Sequence, residues 1–198
     1  MLKDNEVYVK DLIFGCSDDT QNANFEKKVG VLSGIMGFSR SPDSILGFEP
    51  GLFDIRQDGS GGIFIDSGTV ISKIDQDIVG RNAYRAVMGA FQSYYDAFKL
   101  ERMGQINEGF QLCYKNRPGG FTGYPFLVYH FEGAQYVVDP ENVHYFNVDQ
   151  GYFCVALKAG NGISILGSWF RQNKRIIYDG NTNALQFYYE QCSSDASP

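Results

Sequence analysis

One stretch, residues 61–71, constrains the fold of this 198-residue chain more than any other. It reads GGIFIDSGTVI: a glycine pair leads into an apolar β-type run that ends on one carboxylate, Asp66. Gly68 is predicted to allow a backbone conformation closed to other residues, and the hydroxyls of Ser67 and Thr69 can hydrogen-bond a carboxylate or close the turn. The stretch therefore predicts a strand with an acid at its tip. A polar turn between two buried strands, without chemistry, is the alternative interpretation.

The rest of the chain is predicted to be mainly β. Hydrophobic residues make up 43% and aromatic residues 15%, with 23 glycines and 6 prolines, a mixture that suits a β-rich domain with many turns and a well-filled core. Strands are predicted from apolar runs within residues 6–16, 29–38, 111–114, 126–131, 135–138, 143–148, 152–157, 174–178 and 184–189. The last two are predicted to form a hairpin.

One strong helix interrupts this pattern, over about residues 77–102. Six large apolar side chains recur there at intervals of three and four and so share one face: Tyr84, Val87, Met88, Phe91, Tyr95 and Phe98. Either Asp75 or Asp77 is expected to cap the start of the helix. The stripe is predicted to pack against the core rather than to bind a ligand.

Several short motifs, taken in order, resemble those of the pepsin-like aspartic proteases, most closely the plant nepenthesin-type branch. IDSGTV at residues 65–70 resembles the family's second catalytic loop, and ISILGSWFRQN at 163–173 resembles the apolar-apolar-glycine strand that crosses behind it. Weaker matches in the family's order lie at residues 133–134, 140–142, 153–156, 178–179 and 185–187. The resemblance covers about residues 50–192 and implies a pepsin-like lobe, a β-barrel or sandwich with one long helix.

The resemblance also implies that the second lobe is incomplete. Residues 49–192 resemble the C-terminal lobe, whereas residues 1–48 resemble a remnant of the N-terminal lobe. The apolar-apolar-glycine segment at 35–37 is explained equally well as an ordinary buried strand with a glycine bend. No second Asp-Ser-Gly or Asp-Thr-Gly occurs in the sequence. Residues 193–198 are expected to form a disordered tail.

By the same resemblance, Asp66 is one of two catalytic aspartates that face each other and share one proton. Ser67 would join a hydrogen-bonded grip between the two catalytic loops, and Thr69 would hold the outer carboxylate oxygen. Gly68 would let the loop approach its partner. Because the partner loop is absent from this sequence, the chain alone is predicted to be inactive as an endopeptidase, with polypeptide as the family's substrate.

Four cysteines offer other chemistry. None belongs to a Cys-x-x-Cys pair, and with only two histidines, His130 and His144, the sequence argues against a zinc site; no cofactor is expected. The resemblance implies a disulfide between Cys113 and Cys154, with Cys16 and Cys192 left without their family partners. Four reduced, buried thiols are the alternative. Both histidines alternate with apolar residues and are interpreted as ordinary strand residues.

Charge and hydropathy exclude some partners. The net charge of −6 argues against nucleic-acid binding, and no apolar run approaches the roughly 18 residues of a membrane span. No signal-peptide pattern is present at the N-terminus of the sequence. The resemblance implies an extracellular or vacuolar location.

Two alternatives to an inactive chain that lacks the second catalytic loop remain open. Two copies of the chain could pair so that each contributes Asp66, a form of self-association. A non-catalytic binding protein on the same fold, of the xylanase-inhibitor type, is the other, although the complete Asp-Ser-Gly-Thr sequence argues mildly against it.

Overall fold

The computed structural model describes the chain in segments. They are residues 8–10, 35–38, 55, 57, 61–76, 82–104, 106, 109–131, 134–181 and 184–192, with the backbone alone for 8–10 and 35–38. The described strands are β1 (Tyr8–Lys10), β2 (Ile35–Phe38), β3 (Ile63–Ile65), β4 (Ser72–Asp75), β5 (Cys113–Lys115), β6 (Phe126–Phe131), β7 (Ala134–Val138), β8 (His144–Asn147), β9 (Tyr152–Val155), β10 (Leu157–Gly160), β11 (Ser164–Leu166), β12 (Lys174–Asp179) and β13 (Ala184–Tyr189). The helices are α1 (Ala83–Ala97), α2 (Pro140–Val143) and a 3-10 helix (Trp169–Arg171). The predicted mainly-β fold with one long helix is confirmed.

The strands form four small sheets in the described part of the chain. Their orders are β1-β13-β12, β10-β4-β11-β3, β2-β6-β7 and β5-β9-β8. In the four-stranded sheet, β11 lies between β3 and β4, parallel to the first and antiparallel to the second. The segment that resembles the strand behind the catalytic loop therefore joins the two strands that flank this loop.

Two strands from the predicted N-terminal remnant pair with strands from the rest of the chain. The backbone of β1 runs antiparallel to β13, and the backbone of β2 runs parallel to β6. The division at residue 48 stays a prediction, and the tail at 193–198, like Asp77 and Cys16, lies outside the described residues.

The helix α1 begins and ends inside the predicted range. Its N-cap is Asn82, whose side-chain oxygen accepts a hydrogen bond from the backbone N–H of Arg85 at 2.7 Å. The expectation that Asp75 caps the helix is wrong, because Asp75 ends β4 and its carboxylate accepts from the N–H of Gly162 at 3.0 Å. The helix ends at Ala97, short of residue 102. Among the described residues, no helix is long and apolar enough to cross a membrane.

The apolar face of α1 lies in the core, as its spacing predicts. Five of the six predicted side chains are buried: Tyr84, Val87, Met88, Phe91 and Tyr95. Phe98 is the exception at 40% exposure, because it follows the last helical residue and no longer shares the helical face. Tyr95 is fully buried and packs against the rings of Tyr114 and Phe153, with centroids 5.1 and 5.2 Å away. The helix thus fixes the sheet that carries the disulfide.

Two predicted strands are divided in the structure. The run 143–148 begins with the last residue of α2, since Pro140 at the first helical turn favours a short helix there, and β8 follows it. The run 152–157 becomes β9 and β10, separated at Ala156, whose N–H donates to the carbonyl of Val143. The predicted hairpin of β12 and β13 is confirmed, with six residue pairs in register from Lys174 opposite Tyr189.

Candidate active site

Asp66 directly follows β3, which is the edge strand of the four-stranded sheet among the described residues. The backbone N–H of Asp66 donates to the carbonyl of Leu166, at 3.3 Å, and so continues the ladder between β3 and β11 by one residue. The tip of the strand is therefore held by a neighbouring strand about 100 residues later in the chain.

The turn after Asp66 wraps around its carboxylate. The Thr69 hydroxyl donates to Oδ2 at 2.6 Å, and the backbone N–H of Gly68 donates to Oδ1 at 2.9 Å. Both bonds favour the charged form of the acid. The Thr69 hydroxyl, and after it the Gly68 N–H, hold the pKa of Asp66 below its usual value, against the opposing effect of partial desolvation. The carboxylate is thus oriented, and it stays ionised to a lower pH than an ordinary aspartate does.

The reason for a glycine at position 68 differs from the prediction. The left-handed backbone conformations in this stretch belong to Gly61 and Gly62, with φ of 85° and 74°, and not to Gly68. A Cβ atom on Gly68 would lie 3.3 Å from Oδ1 of Asp66, closer than nine in ten real contacts of this kind, so the carboxylate would have to shift slightly. Glycine is favoured here because the carboxylate lies against the backbone.

Behind the turn, Gly167 leaves no room for a side chain. A Cβ atom there would lie 2.7 Å from the carbonyl oxygens of both Thr69 and Val70. The next two backbone N–H groups donate to these same oxygens, from Ser168 to Thr69 at 2.8 Å and from Trp169 to Val70 at 3.0 Å. The segment after β11 is therefore bonded directly to the back of the Asp66 turn.

One polar atom of the turn lacks a hydrogen bond among the described residues. The Ser67 hydroxyl oxygen is buried without a hydrogen-bond partner in the part of the chain that the structure describes. Val70 is 57% exposed beside it. A buried hydroxyl without a partner is unfavourable, so a hydrogen bond from a group outside the described residues would stabilise it.

The structure places a disulfide between Cys113 and Cys154, the pair that the resemblance implies. The two residues face each other in the β5–β9 ladder, and both are buried. Cys192 is a free, partly exposed thiol. The four cysteines are therefore not all reduced.

The two histidines have different surroundings. His144 is fully buried, with Nε2 2.5 Å from the hydroxyl of Tyr95 and Nδ1 2.6 Å from the carbonyl of Pro140. Burial lowers its pKa to about 4, so it is neutral over most of the pH range. Burial also lowers the pKa of His130. Within the described ranges no group of three His, Cys, Asp or Glu residues could hold a metal ion.

Sequence reasoning missed three residues that shape the site. Ser72 accepts from the N–H of Gly167 through its hydroxyl at 2.9 Å, and Ser164 accepts from the N–H of Asp75 at 3.0 Å. Both serines are buried inside strands, a position where a small polar residue signals a hydrogen bond to a neighbouring backbone. The third is Arg171, whose Nε donates to the carbonyl of Gly167 at 3.3 Å.

Comparison with known proteins places most of the chain in one family. The family model described as "Xylanase inhibitor C-terminal" matches residues 43–188. The aspartic proteinase nepenthesin-2 of Nepenthes gracilis is 30% identical over 152 residues, which cover 75% of this chain and 33% of that protein. Aspartyl protease family protein 2 of Arabidopsis thaliana is 32% identical over 163 residues, covering 81% and 32%. The chain spans about a third of the length of these curated relatives.

Solved structures give the same fold at lower sequence identity. The crystal structure of edgp superposes on 96% of this chain with a TM-score of 0.63, at 18% identity, and 46% of that protein is covered. Basic 7S globulin from soybean has a TM-score of 0.50 over 64% of this chain and 33% of its own, also at 18% identity. With the family match and the sequence relatives, the conclusion is that this chain belongs to the pepsin-like aspartic protease family, in its nepenthesin-type branch, and carries that family's C-terminal lobe.

Proposed function

We propose that the chain supplies one half of the active site of an aspartic endopeptidase, with Asp66 as the catalytic carboxylate. The observation that carries the proposal is the Asp66 turn, in which Thr69 and Gly68 donate to the two carboxylate oxygens and Gly167 closes the back. A carboxylate held in this way at the exposed end of a strand is oriented toward what lies beyond the turn.

The reaction requires a second carboxylate. Two carboxyl groups a few ångströms apart share one proton, so that the ionised one takes a proton from water while the protonated one donates to the substrate carbonyl. The sequence contains one Asp-Ser-Gly and no Asp-Thr-Gly, so the partner must come from another chain or chain segment. The buried Ser67 hydroxyl, which lacks a partner among the described residues, supports a partner loop that bonds to it.

Complementation tests the proposal. The purified chain alone is expected not to hydrolyse casein at acid pH. Refolding it together with the remaining N-terminal part of nepenthesin-2 is expected to give casein hydrolysis, and Asp66→Asn in this chain should abolish it. Asp149→Asn, which changes an exposed carboxylate at the tip of the β8–β9 hairpin, is the matched control and should leave the activity unchanged.

Three results would contradict parts of this proposal. Hydrolysis by the chain alone that Asp66→Asn abolishes and that rises with the square of protein concentration would favour pairing of two copies. Hydrolysis that Asp66→Asn leaves intact would exclude Asp66 as the catalytic group. A complemented complex that assembles but stays inactive would favour the second candidate.

The second candidate is a non-catalytic binding protein. It is favoured by the matching family model, whose description names xylanase inhibitors. It predicts that the folded chain forms a stable complex with a xylanase and lowers the rate of xylan hydrolysis. A chain that only supplies half of a protease active site would do neither. Titration of a plant-targeted microbial xylanase with the chain, followed by sedimentation, separates the two candidates.

An oxidising compartment, extracellular or vacuolar, is proposed for the protein. The Cys113–Cys154 disulfide supports this location, since such bonds persist outside reducing compartments. Residues 49–192 are proposed to be the C-terminal lobe, and the family match over 43–188 supports this boundary.

A further inference from the structure

Arg171 is bonded to the segment that packs against the Asp66 turn. It is the last residue of the 3-10 helix that follows β11, and its Nε donates to the carbonyl of Gly167. Gly167 in turn packs without any gap against the carbonyls of Thr69 and Val70. The guanidinium is therefore joined to the turn by a short series of direct contacts.

The other end of the guanidinium is unusual for a structural arginine. Within the described part of the chain, its Nη2 is buried without a hydrogen-bond partner and Arg171 forms no ion pair. A buried polar atom without a partner costs free energy, and a charged one costs more. Packing alone would favour a neutral or apolar side chain at this position, so the retained charge points to an electrostatic role.

Among the described groups whose pKa is clearly shifted, the charge of Arg171 influences two, Asp66 and Tyr136. Burial raises the pKa of Tyr136, whose hydroxyl donates to the carbonyl of Phe170, so this side chain is neutral. Of the two, Asp66 is the one that is ionised, and the charge of Arg171 helps to lower its pKa.

We propose that Arg171 is a positioning residue for Asp66, which locks the Gly167 segment against the Asp66 turn and supplies a fixed positive charge behind its carboxylate. This inference rests on the proposed function of Asp66, and it assigns the charge-setting role to a residue that touches neither the carboxylate nor a substrate. It also gives an order to the groups that act on Asp66. The Thr69 hydroxyl is the largest, the Gly68 N–H follows, and Arg171 acts from a greater distance.

The test measures the Asp66 carboxyl directly. The chain is labelled with ¹³C at aspartate carboxyls, the Asp66 signal is assigned by its loss in Asp66→Asn, and its titration is followed by NMR. Arg171→Gln is expected to shift the titration midpoint of Asp66 upward, by less than Thr69→Val does. Arg171→Lys keeps the charge and should leave the midpoint close to that of the unmodified chain.

Arg175→Gln is the matched control, because Arg175 lies on the neighbouring strand β12 and pairs with Glu190. Its removal should not move the Asp66 signal. An unchanged midpoint in folded Arg171→Gln would overturn the inference. If that variant does not fold, Arg171→Lys still decides, since an upward shift as large as that of Thr69→Val would show that the charge has no role. No peptidase activity is needed, so this result is separate from the complementation experiment.

Discussion

At the scale of single residues, the chemistry of Asp66 depends on one hydroxyl more than on any other group. The 2.6 Å bond from Thr69 is the largest influence that lowers the pKa of this carboxyl. Burial, which would raise the pKa, is slight because the turn is partly open to solvent. Thr69, which follows the glycine, therefore has a large part in setting the pKa of Asp66.

Replacing Thr69 by Val removes this hydroxyl at nearly the same side-chain volume. We expect the pKa of Asp66 to rise toward the usual value of an aspartate, because the ionised form loses its strongest hydrogen bond. Carboxyl ¹³C titration by NMR measures the shift. Thr69→Ser, which keeps the hydroxyl, should retain a lowered pKa, and equal values for the two variants would contradict this assignment.

At the scale of elements, the Asp66 turn is built by the crossing of β11 between β3 and β4. Gly167, directly after β11, is the point of closest approach, with no space for a Cβ atom beside the Thr69 and Val70 carbonyls. The obstacle is backbone on both sides, which cannot rotate away as a side chain would. The crossing therefore depends on glycine at this position.

Gly167→Ala is expected to destabilise the fold by about 3 kcal/mol, the upper part of the usual range for an overpacked site. Urea unfolding followed by circular dichroism measures the change. The control is Gly89→Ala in the exposed interior of α1, where nothing lies within 4 Å of an added Cβ. This control should stabilise by roughly 0.5–1 kcal/mol because alanine favours helix. A mild effect of Gly167→Ala would show that the crossing can relax.

The elements themselves were largely predictable, whereas their partners were not. The spacing of apolar residues predicted α1 and its buried face, and the hairpin of β12 and β13 follows from two β-type runs around a short turn. The helix start was missed, since Asp75 and Asn82 are both good capping residues and only the end of β4 excludes the first. The pairing of β11 with β3 came from family resemblance, because periodicity carries no information about distant partners.

In the candidate site too, the sequence predicted neighbouring residues but not distant ones. Asp66, Ser67, Gly68 and Thr69 are contiguous, so one motif predicted their proximity. Arg171 lies about 100 residues away in the sequence and carries no local signal that connects it with them. The conformation of Gly68 was predicted wrongly, because a tight turn can need glycine for space as well as for a positive φ.

At the scale of the whole molecule, a buried histidine makes the stability of the fold depend on pH. His144, the first residue of β8, joins α1 to the start of α2 through its bonds to Tyr95 and Pro140. The described groups packed around it are aromatic and uncharged at neutral pH: Phe91, Tyr95, Tyr124, Phe146 and Phe153. The Pro140 carbonyl favours the protonated ring, but desolvation by these surroundings outweighs it and lowers the pKa of His144.

The fold is expected to lose stability in acid through His144. Its pKa in the fold is about 4, against 6.5 for the ordinary side chain, so the unfolded chain binds a proton first. The contribution is present above about pH 6.5 and is lost as the pH falls toward 4, about 3 kcal/mol in all. Urea unfolding at pH 7, 5.5 and 4 should show a shallower acid slope for His144→Gln than for the unmodified chain. His130→Gln, at a partly exposed position whose pKa is also lowered by burial, should change the slope less than His144→Gln does. Equal slopes for His144→Gln and the unmodified chain would refute this account.

Because β11 pairs with both β3 and β4, this sheet can be completed only after β11 has been synthesised. Closing the ladder between Ile63 and Ser164 joins positions 101 residues apart, and such long closures come late because chain entropy opposes them until both ends exist. On the ribosome, the turn around Asp66 is made about 100 residues before its backing strand. A nascent chain therefore displays the acid long before the support that orients it has been translated.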